Sequence, residues 1–241
     1  MTNGTRSLVA VAQMTSTNDV DANFRVVDEL AGRAKARGAQ LVCFPENFAF
    51  MGTGDVDTRR VMEPLTGPLL TRYRGLAQKH ALWCSFGGFP EKADEEHNHN
   101  AHVVVDPAGE VRAVYRKVHL FDVTLPNGSV YQESACTAPG KSIEVVDVDG
   151  VAKLGLSICY DLRFPELYRA LAEKGADVLM VPAAFTLTTG KEHWEALLRA
   201  RAIENECYVV AAAQTGRHNE KRDTYGHAIV VDQWGTVVAQ C

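Results

Sequence analysis

No apolar run in this 241-residue chain approaches the ~18–20 residues needed to cross a bilayer, so no membrane span is expected. Positive charge is in deficit: 25 Lys and Arg stand against 30 Asp and Glu, a net charge of −5. A nucleic-acid partner needs concentrated cations and is therefore not expected. The six cysteines, at 43, 84, 136, 159, 207 and 241, include no CxxC pair; zinc-ribbon and thioredoxin-type sites lack their spacing. The start, Met1 to Ser7, carries neither an apolar signal core nor an Arg/Ser-rich amphipathic leader. Cys43, Cys84 and Cys207 sit in apolar strand-like runs and read as small buried hydrophobes. Together these absences point to a reducing, cytoplasmic setting, with an organellar address open if a leader precedes residue 1. In that setting the sequons Asn3-Gly4-Thr5 and Asn127-Gly128-Ser129 read as chance matches.

What is present is an ordinary globular composition, 46% hydrophobic and 23% charged, arranged as alternating strands and helices. Residues 8–13, 40–45 and 82–89 read as strands, 21–37 and 68–80 as helices. A hairpin follows, 103–106 and 111–115. Phe24, Val27, Ala31 and Ala34 mark one face of the first helix, and Gly38 closes it. The order then repeats: strands 152–158, 177–182 and 207–213, helices 165–174 and 191–206, and a hairpin at 229–232 and 237–238. The last helix shows Trp194, Leu197, Leu198 and Ile203 on its apolar side.

The repetition extends to residues. Glu29-Leu30, Gly38-Ala39 and Pro45 match Glu166-Leu167, Gly175-Ala176 and Pro182 at an offset of 137. Val103-Val104-Val105-Asp106 and Gly109 match Ile229-Val230-Val231-Asp232 and Gly235 at an offset of 126. An internal duplication follows. Each half forms a sheet with helices on one face; the other face needs a cover, which the other half supplies. The expected fold is a four-layer αββα sandwich over residues 1–241 as one domain; a doubly wound single sheet is the alternative.

Three residues of different chemistry stand at strand ends: Glu46 after Leu41-Val42-Cys43-Phe44-Pro45, Lys117 after Val111 to Arg116, and Cys159 after Leu154-Gly155-Leu156-Ser157-Ile158. Open α/β sheets bind ligands beyond the carboxyl ends of their strands. The second copy has Ala183 where the first has Glu46, so strand–turn geometry alone does not require the charge. A carboxylate within reach of a thiol can take its proton during attack. An ammonium can stabilise the oxyanion, as can the N–H of Tyr160 at the turn after the thiol. This chemistry attacks amide-like carbons and requires neither metal nor organic cofactor.

Phe44-Pro45-Glu46-Asn47, Tyr115-Arg116-Lys117-Val118-His119-Leu120-Phe121-Asp122 and Ile158-Cys159-Tyr160-Asp161-Leu162-Arg163-Phe164-Pro165-Glu166 resemble the three catalytic blocks of the nitrilase superfamily, in its order and with its kind of spacing. The resemblance implies an αββα sandwich with Glu46 as general base, Lys117 as oxyanion stabiliser and Cys159 as nucleophile. It adds Glu133, in Tyr131-Gln132-Glu133-Ser134, as a second glutamate near the lysine. His193-Trp194-Glu195-Ala196-Leu197-Leu198-Arg199-Ala200-Arg201-Ala202-Ile203-Glu204 and Tyr208-Val209-Val210-Ala211-Ala212-Ala213-Gln214-Thr215-Gly216-Arg217-His218 resemble the branch that cleaves amides of 2-oxo acids. The implied substrate is deaminated glutathione, with 2-oxoglutaramate or 2-oxosuccinamate as the alternative. A nitrile or carbamoyl substrate would use the same triad, and a non-catalytic interaction protein would use the same scaffold. The resemblance also implies a homodimer and further chain beyond Cys241, which falls inside a closing strand.

An anionic substrate calls for cations. Arg163, four residues past Cys159 near a helix start, is a candidate carboxylate clamp; Phe185 and Thr186 are candidate pocket residues. Arg217 and Lys221 read as surface-loop charges within possible reach of a longer substrate. The cluster His97-Asn98-His99-Asn100 reads as a solvated turn, and Gly52-Thr53-Gly54 as a loop bordering the site.

Overall fold

A computed structural model describes residues 7–124 and 128–241; the sequon residues Asn3 and Asn127 lie outside them. The first half comprises β1 (Val9–Val11), β2 (Gln13–Met14), α1 (Val20–Ala36), β3 (Leu41–Phe44), α2 (Pro68–His80), β4 (Trp83–Lys92), β5 (Asn98–Val105) and β6 (Val111–Arg116). The paired strands β7 (Asp122–Thr124) and β8 (Val130–Gln132) lead to β9 (Val145–Val148), β10 (Ala152–Leu156), α3 (Pro165–Glu173), β11 (Val178–Met180) and α4 (Leu187–Asn205). The chain continues through β12 (Tyr208–Ala211), β13 (Ala213–Arg217), β14 (Asp223–Tyr225), β15 (Ile229–Val231) and β16 (Val237–Gln240).

Local chemistry sets the helix ends. Asp19 caps α1 by accepting from the Ala22 N–H at 2.9 Å. Pro68 and Pro165 open α2 and α3, where a missing N–H costs nothing. Helix α4 starts four residues before the expected position, because Thr186 caps it. Its first turn, with Thr188, Thr189 and Gly190, has low helix propensity and hides the start from pattern reading. Gly190 is needed there: a Cβ would lie 2.3 Å from the Cβ of Tyr225.

Two large sheets, in the orders β1-β3-β4-β5-β6 and β16-β15-β12-β11-β10-β9, are accompanied among the described residues by the small sheets β14-β13-β2 and β7-β8. The doubly wound alternative is thereby excluded. Register repeats along with order. Val9 pairs with Leu41 and Leu41 with Trp83; Leu154 pairs with Val178 and Val178 with Tyr208, in both cases parallel. The antiparallel pairs Cys84–Val105 and Val209–Val231 close each set.

The layers follow from alternation along β3. Val42 and Phe44 join Val27 and Ala31 of α1 and Leu70, Tyr73 and Ala77 of α2 in one core. Leu41 and Cys43 join Leu154, Leu156 and Met180 of the other sheet in a second core, which continues to Tyr168 of α3 and Trp194 of α4. Because β3 is buried on both faces, its apolar run is continuous. The order is helices, sheet, sheet, helices. Ile203 departs from the expected apolar stripe of α4: it is exposed, and the helix turns Leu198, Arg201 and Ala202 inward.

Candidate active site

Glu46 lies two residues past β3 and is 3% exposed; Lys117 directly follows β6 and is 2% exposed. Room for Glu46 comes from Gly87 and Gly88, where the β4–β5 register shifts. Gly88 has a φ of +73°, and a Cβ on it would lie 2.9 Å from the Glu46 Cα. A Cβ on Gly87 would meet Pro182, whose ring closes on this strand from the second half, at 2.1 Å.

Cys159 opens a 3-10 turn, Cys159–Arg163, three residues past β10, with φ of +48°. A non-glycine residue in this left-handed region is uncommon and persists only where its surroundings fix it. Here they do. The Cys159 N–H donates to Pro182 O at 2.9 Å. Fully buried Asp161 accepts from the Ile158 N–H at 2.9 Å and the Tyr115 hydroxyl at 2.8 Å; its other oxygen accepts from the His119 N–H at 3.1 Å and lies 2.7 Å from His119 Nδ1. From the first sheet, His102 Nδ1 lies 3.0 Å from Ser157 O and its Nε2 lies 2.7 Å from Ser85 Oγ.

The side chains converge. Lys117 Nζ donates to Glu46 Oε1 at 2.9 Å and to Glu133 Oε2 at 2.9 Å. Glu133 leads a 3-10 turn after β8, and its Oε2 also accepts from the Phe121 N–H at 2.7 Å. The second Glu46 oxygen accepts from the Ala184 N–H at 3.0 Å, and the carboxylate also engages the Cys159 thiol. Asn100 Nδ2 bridges the two glutamates, at 2.9 Å from Glu46 and 3.1 Å from Glu133.

Electrostatics assign the resting protons. Burial alone would raise the Glu46 pKa, but the Lys117 charge, the thiol and Lys117 hydrogen bonds and the Arg222 charge together hold it below its ordinary value. Burial opposes the charge on Lys117, yet Glu133 and Glu46 hold its pKa well above the usual lysine range. Burial and the Glu46 carboxylate push the Cys159 thiol well up, against the pull of Lys117. The resting trio is therefore a carboxylate, an ammonium and a protonated thiol.

These groups open on one cleft, lined by both polar and apolar side chains. Tyr160, Arg163, Phe185 and Thr186 all line it, as do Gly52 and Gly54. Arg163 lies over the rings of Tyr160 and Phe185, each 5.9 Å away, and reaches His193 Nδ1 at 3.3 Å. No carboxylate lies within ion-pair distance of it among the described residues.

One sequence reading needs correction. His97-Asn98-His99-Asn100 is no solvated turn: β5 starts at Asn98, and Asn98 and Asn100 are buried toward the cleft. Their spacing of two, leading into the Ala101–Val105 apolar run, was the available signal. Arg217 and Lys221 are exposed, as the surface-loop reading expects, and do not line the cleft, whereas Arg222 does. The turn of the β13–β14 hairpin decides which of these cations points inward, and the residue pattern there is polar throughout.

The carbon–nitrogen hydrolase family model matches residues 8–241, and the chain belongs to that family. Within it, the chain is 51% identical over 238 residues to deaminated glutathione amidase of Bos taurus, covering 97% of this chain and 73% of that protein. The crystal structure of the Caenorhabditis elegans NitFhit protein superposes with a TM-score of 0.89 at 46% identity, covering 97% of this chain and 57% of the other. An amidase from Nesterenkonia sp. gives 0.84 at 28% identity, with coverages of 99% and 87%. Both neighbours support the αββα sandwich. No helix among the described residues is long and apolar enough to cross a membrane.

Proposed function

We propose that this chain is an amidase that hydrolyses the side-chain amide of a 2-oxo acid derivative, deaminated glutathione first among them, through a Cys159 thioester. The observation that carries the reading is the Glu46 carboxylate, held between the Lys117 ammonium and a protonated Cys159 thiol in one cleft. The sulfur attacks the amide carbon as its proton passes to Glu46. Lys117 and the Tyr160 N–H stabilise the oxyanion. The C–N bond then breaks, and Glu46 returns the proton to the leaving nitrogen. Water enters, gives a proton to Glu46 and attacks the thioester; collapse releases the 2-oxo acid, and the sulfur recovers its proton from Glu46. Glu133 keeps the Lys117 charge and position through both steps, and no step calls on a metal or cofactor.

The substrate class is supported by the similarity to deaminated glutathione amidase and by two arginines at the cleft, Arg163 and Arg222, which favour an anionic amide over a neutral nitrile. Arg163, between the rings of Tyr160 and Phe185, is suited to hold the 2-oxo carboxylate, with Thr186 on the same wall. A cytoplasmic homodimer is part of the same proposal; Trp234 and Val238 of the β15–β16 hairpin, with Ile203 against it, expose apolar surface that a second copy can cover.

Deaminated glutathione yields 2-oxoglutarate and cysteinylglycine, and 2-oxoglutaramate yields 2-oxoglutarate and ammonia. One assay of 2-oxoglutarate release therefore compares both, with Cys159→Ala as control. Faster turnover of deaminated glutathione is expected. A preference for 2-oxoglutaramate transfers the chain to the other substrate, and inactivity of folded protein on both defeats the reading.

A further inference from the structure

The two candidate substrates share their acyl half, 2-oxoglutaryl, and pass through the same thioester. They differ only in what leaves: ammonia, or a dipeptide that ends in a carboxylate. Discrimination between them must reside on the leaving-group side of the cleft. That side is fixed by chemistry, because the leaving nitrogen takes its proton from Glu46 and must face it.

The cleft presents cations on two walls. Arg163 belongs to the Cys159 turn and lies against Tyr160 and Phe185. Arg222 belongs to the β13–β14 hairpin, which is tied to the wall that carries Glu46. Asn219 donates to Gly52 O at 3.0 Å, in the cleft-lining loop that follows Glu46. Gln214 of β13 donates to Glu46 O at 2.9 Å. Hydrogen bonds anchor the hairpin: the His218 N–H donates to Arg222 O at 3.0 Å, and the His218 ring lies 2.8 Å from Ser16 O and 2.7 Å from Thr224 Oγ1. Among the described residues no carboxylate lies within ion-pair distance of the Arg222 guanidinium. Its charge nevertheless reaches Glu46 and helps to lower that pKa, whereas Arg163 is not among the main influences on Glu46.

Resting on the amidase reading above, we propose that Arg222 is a specificity-determining residue that receives the terminal carboxylate of a peptide leaving group, while Arg163 holds the 2-oxo carboxylate of the acyl half. The cleft would then read both ends of its substrate, and the dipeptide end is what separates a peptide-amide hydrolase from an enzyme for simple 2-oxo acid amides.

The test measures kcat/KM by 2-oxoglutarate release for wild type, Arg222→Gln and Arg222→Lys on three substrates: deaminated glutathione, its C-terminal amide, and 2-oxoglutaramate. Wild type should prefer the free acid over its C-terminal amide by about tenfold or more, the size expected of a hydrogen bond between charged groups. Arg222→Gln should reduce that preference to less than about twofold, mainly through KM, and Arg222→Lys should restore part of it. The inference is overturned if an active Arg222→Gln enzyme keeps the preference, or loses deaminated glutathione and 2-oxoglutaramate activity by the same factor. If folded wild type releases 2-oxoglutarate from none of the three, the amidase reading itself fails and takes this inference with it.

Discussion

The two halves of this molecule share a plan and diverge where the chemistry lies. Pairing makes Val9 and Leu154 equivalent, which places Met14 opposite Cys159 and the first residue of α1 opposite the first of α3. The Ala12 N–H donates to Cys43 O, and Ser157 makes the matching bond to Met180 O. Two residues later the copies part. The first half stays extended as β2 and pairs with β13; the second breaks into the Cys159 turn. Helix α3 has 9 residues against 17 in α1, the eight-residue difference that separates the offset before the helices from the offset of 137 after them. At the next strand end one copy has Glu46 and the other Ala183. One half supplies the glutamate and the lysine and the other the thiol, so neither holds the whole cluster alone.

The largest effect should come from truncating the equivalent residues Cys159 and Met14. Cys159→Ala should lower kcat by at least about 10⁴-fold, because the covalent route is lost. Met14→Ala should instead cost stability, about 2–5 kcal/mol, through a cavity in the first core. Comparable losses of turnover in both, with both folded, would break the distinction between the halves.

The same contrast applies at the next strand ends. Glu46→Gln should lower turnover by about 10²–10⁴-fold as proton transfer is lost. Ala183→Glu would place an unpaired carboxylate in a fully buried position and should destabilise by about 3–5 kcal/mol in urea unfolding. Unchanged stability would mean that the second half can also hold this charge.

The seam between the halves should show in acid. Burial pushes the His102 pKa down to about 4, against roughly 6.5 in an unfolded chain. The native state therefore binds its proton later than the unfolded state. The corresponding stability is complete above the unfolded value and is lost as pH falls toward the folded one, up to about 3 kcal/mol. Glu46, with its pKa lowered, loses its contribution only below the ordinary carboxylate range. Urea midpoints between pH 7 and 4.5 should fall in wild type and fall less in His102→Gln; equal slopes would remove His102 as the cause.

The smallest effect is expected on α4, where exposed Glu192→Gln should change stability by less than about 0.5 kcal/mol. Leu198→Ala, fully buried, should cost about 2–5 kcal/mol.

Much of the fold was legible because its signals are local. Pro68 and His80 bound α2 as the punctuation suggests, and the duplicated Gly-Ala…Pro pattern located equivalent strands before any pairing was known. Asn100 was not legible in the same way. Its polar side chain looks like a loop residue until β5 carries it between Glu46 and Glu133. Thr188, Thr189 and Gly190 disguised the start of α4, where a cap and a close contact with Tyr225 override propensity.

The sequence alone determined which groups are available, a carboxylate, an ammonium and a thiol at three strand ends, along with the repeated order of elements. Side-chain identity and local periodicity are written residue by residue. Only the tertiary structure decided that Lys117 lies 2.9 Å from both Glu46 and Glu133, that Asn100 bridges them, and that Arg222 rather than Arg217 or Lys221 faces the cleft. Those facts depend on how two sheets pack and where a hairpin turns. Protonation, too, belongs to the assembled site, because burial and neighbouring charge exist only once the halves have met.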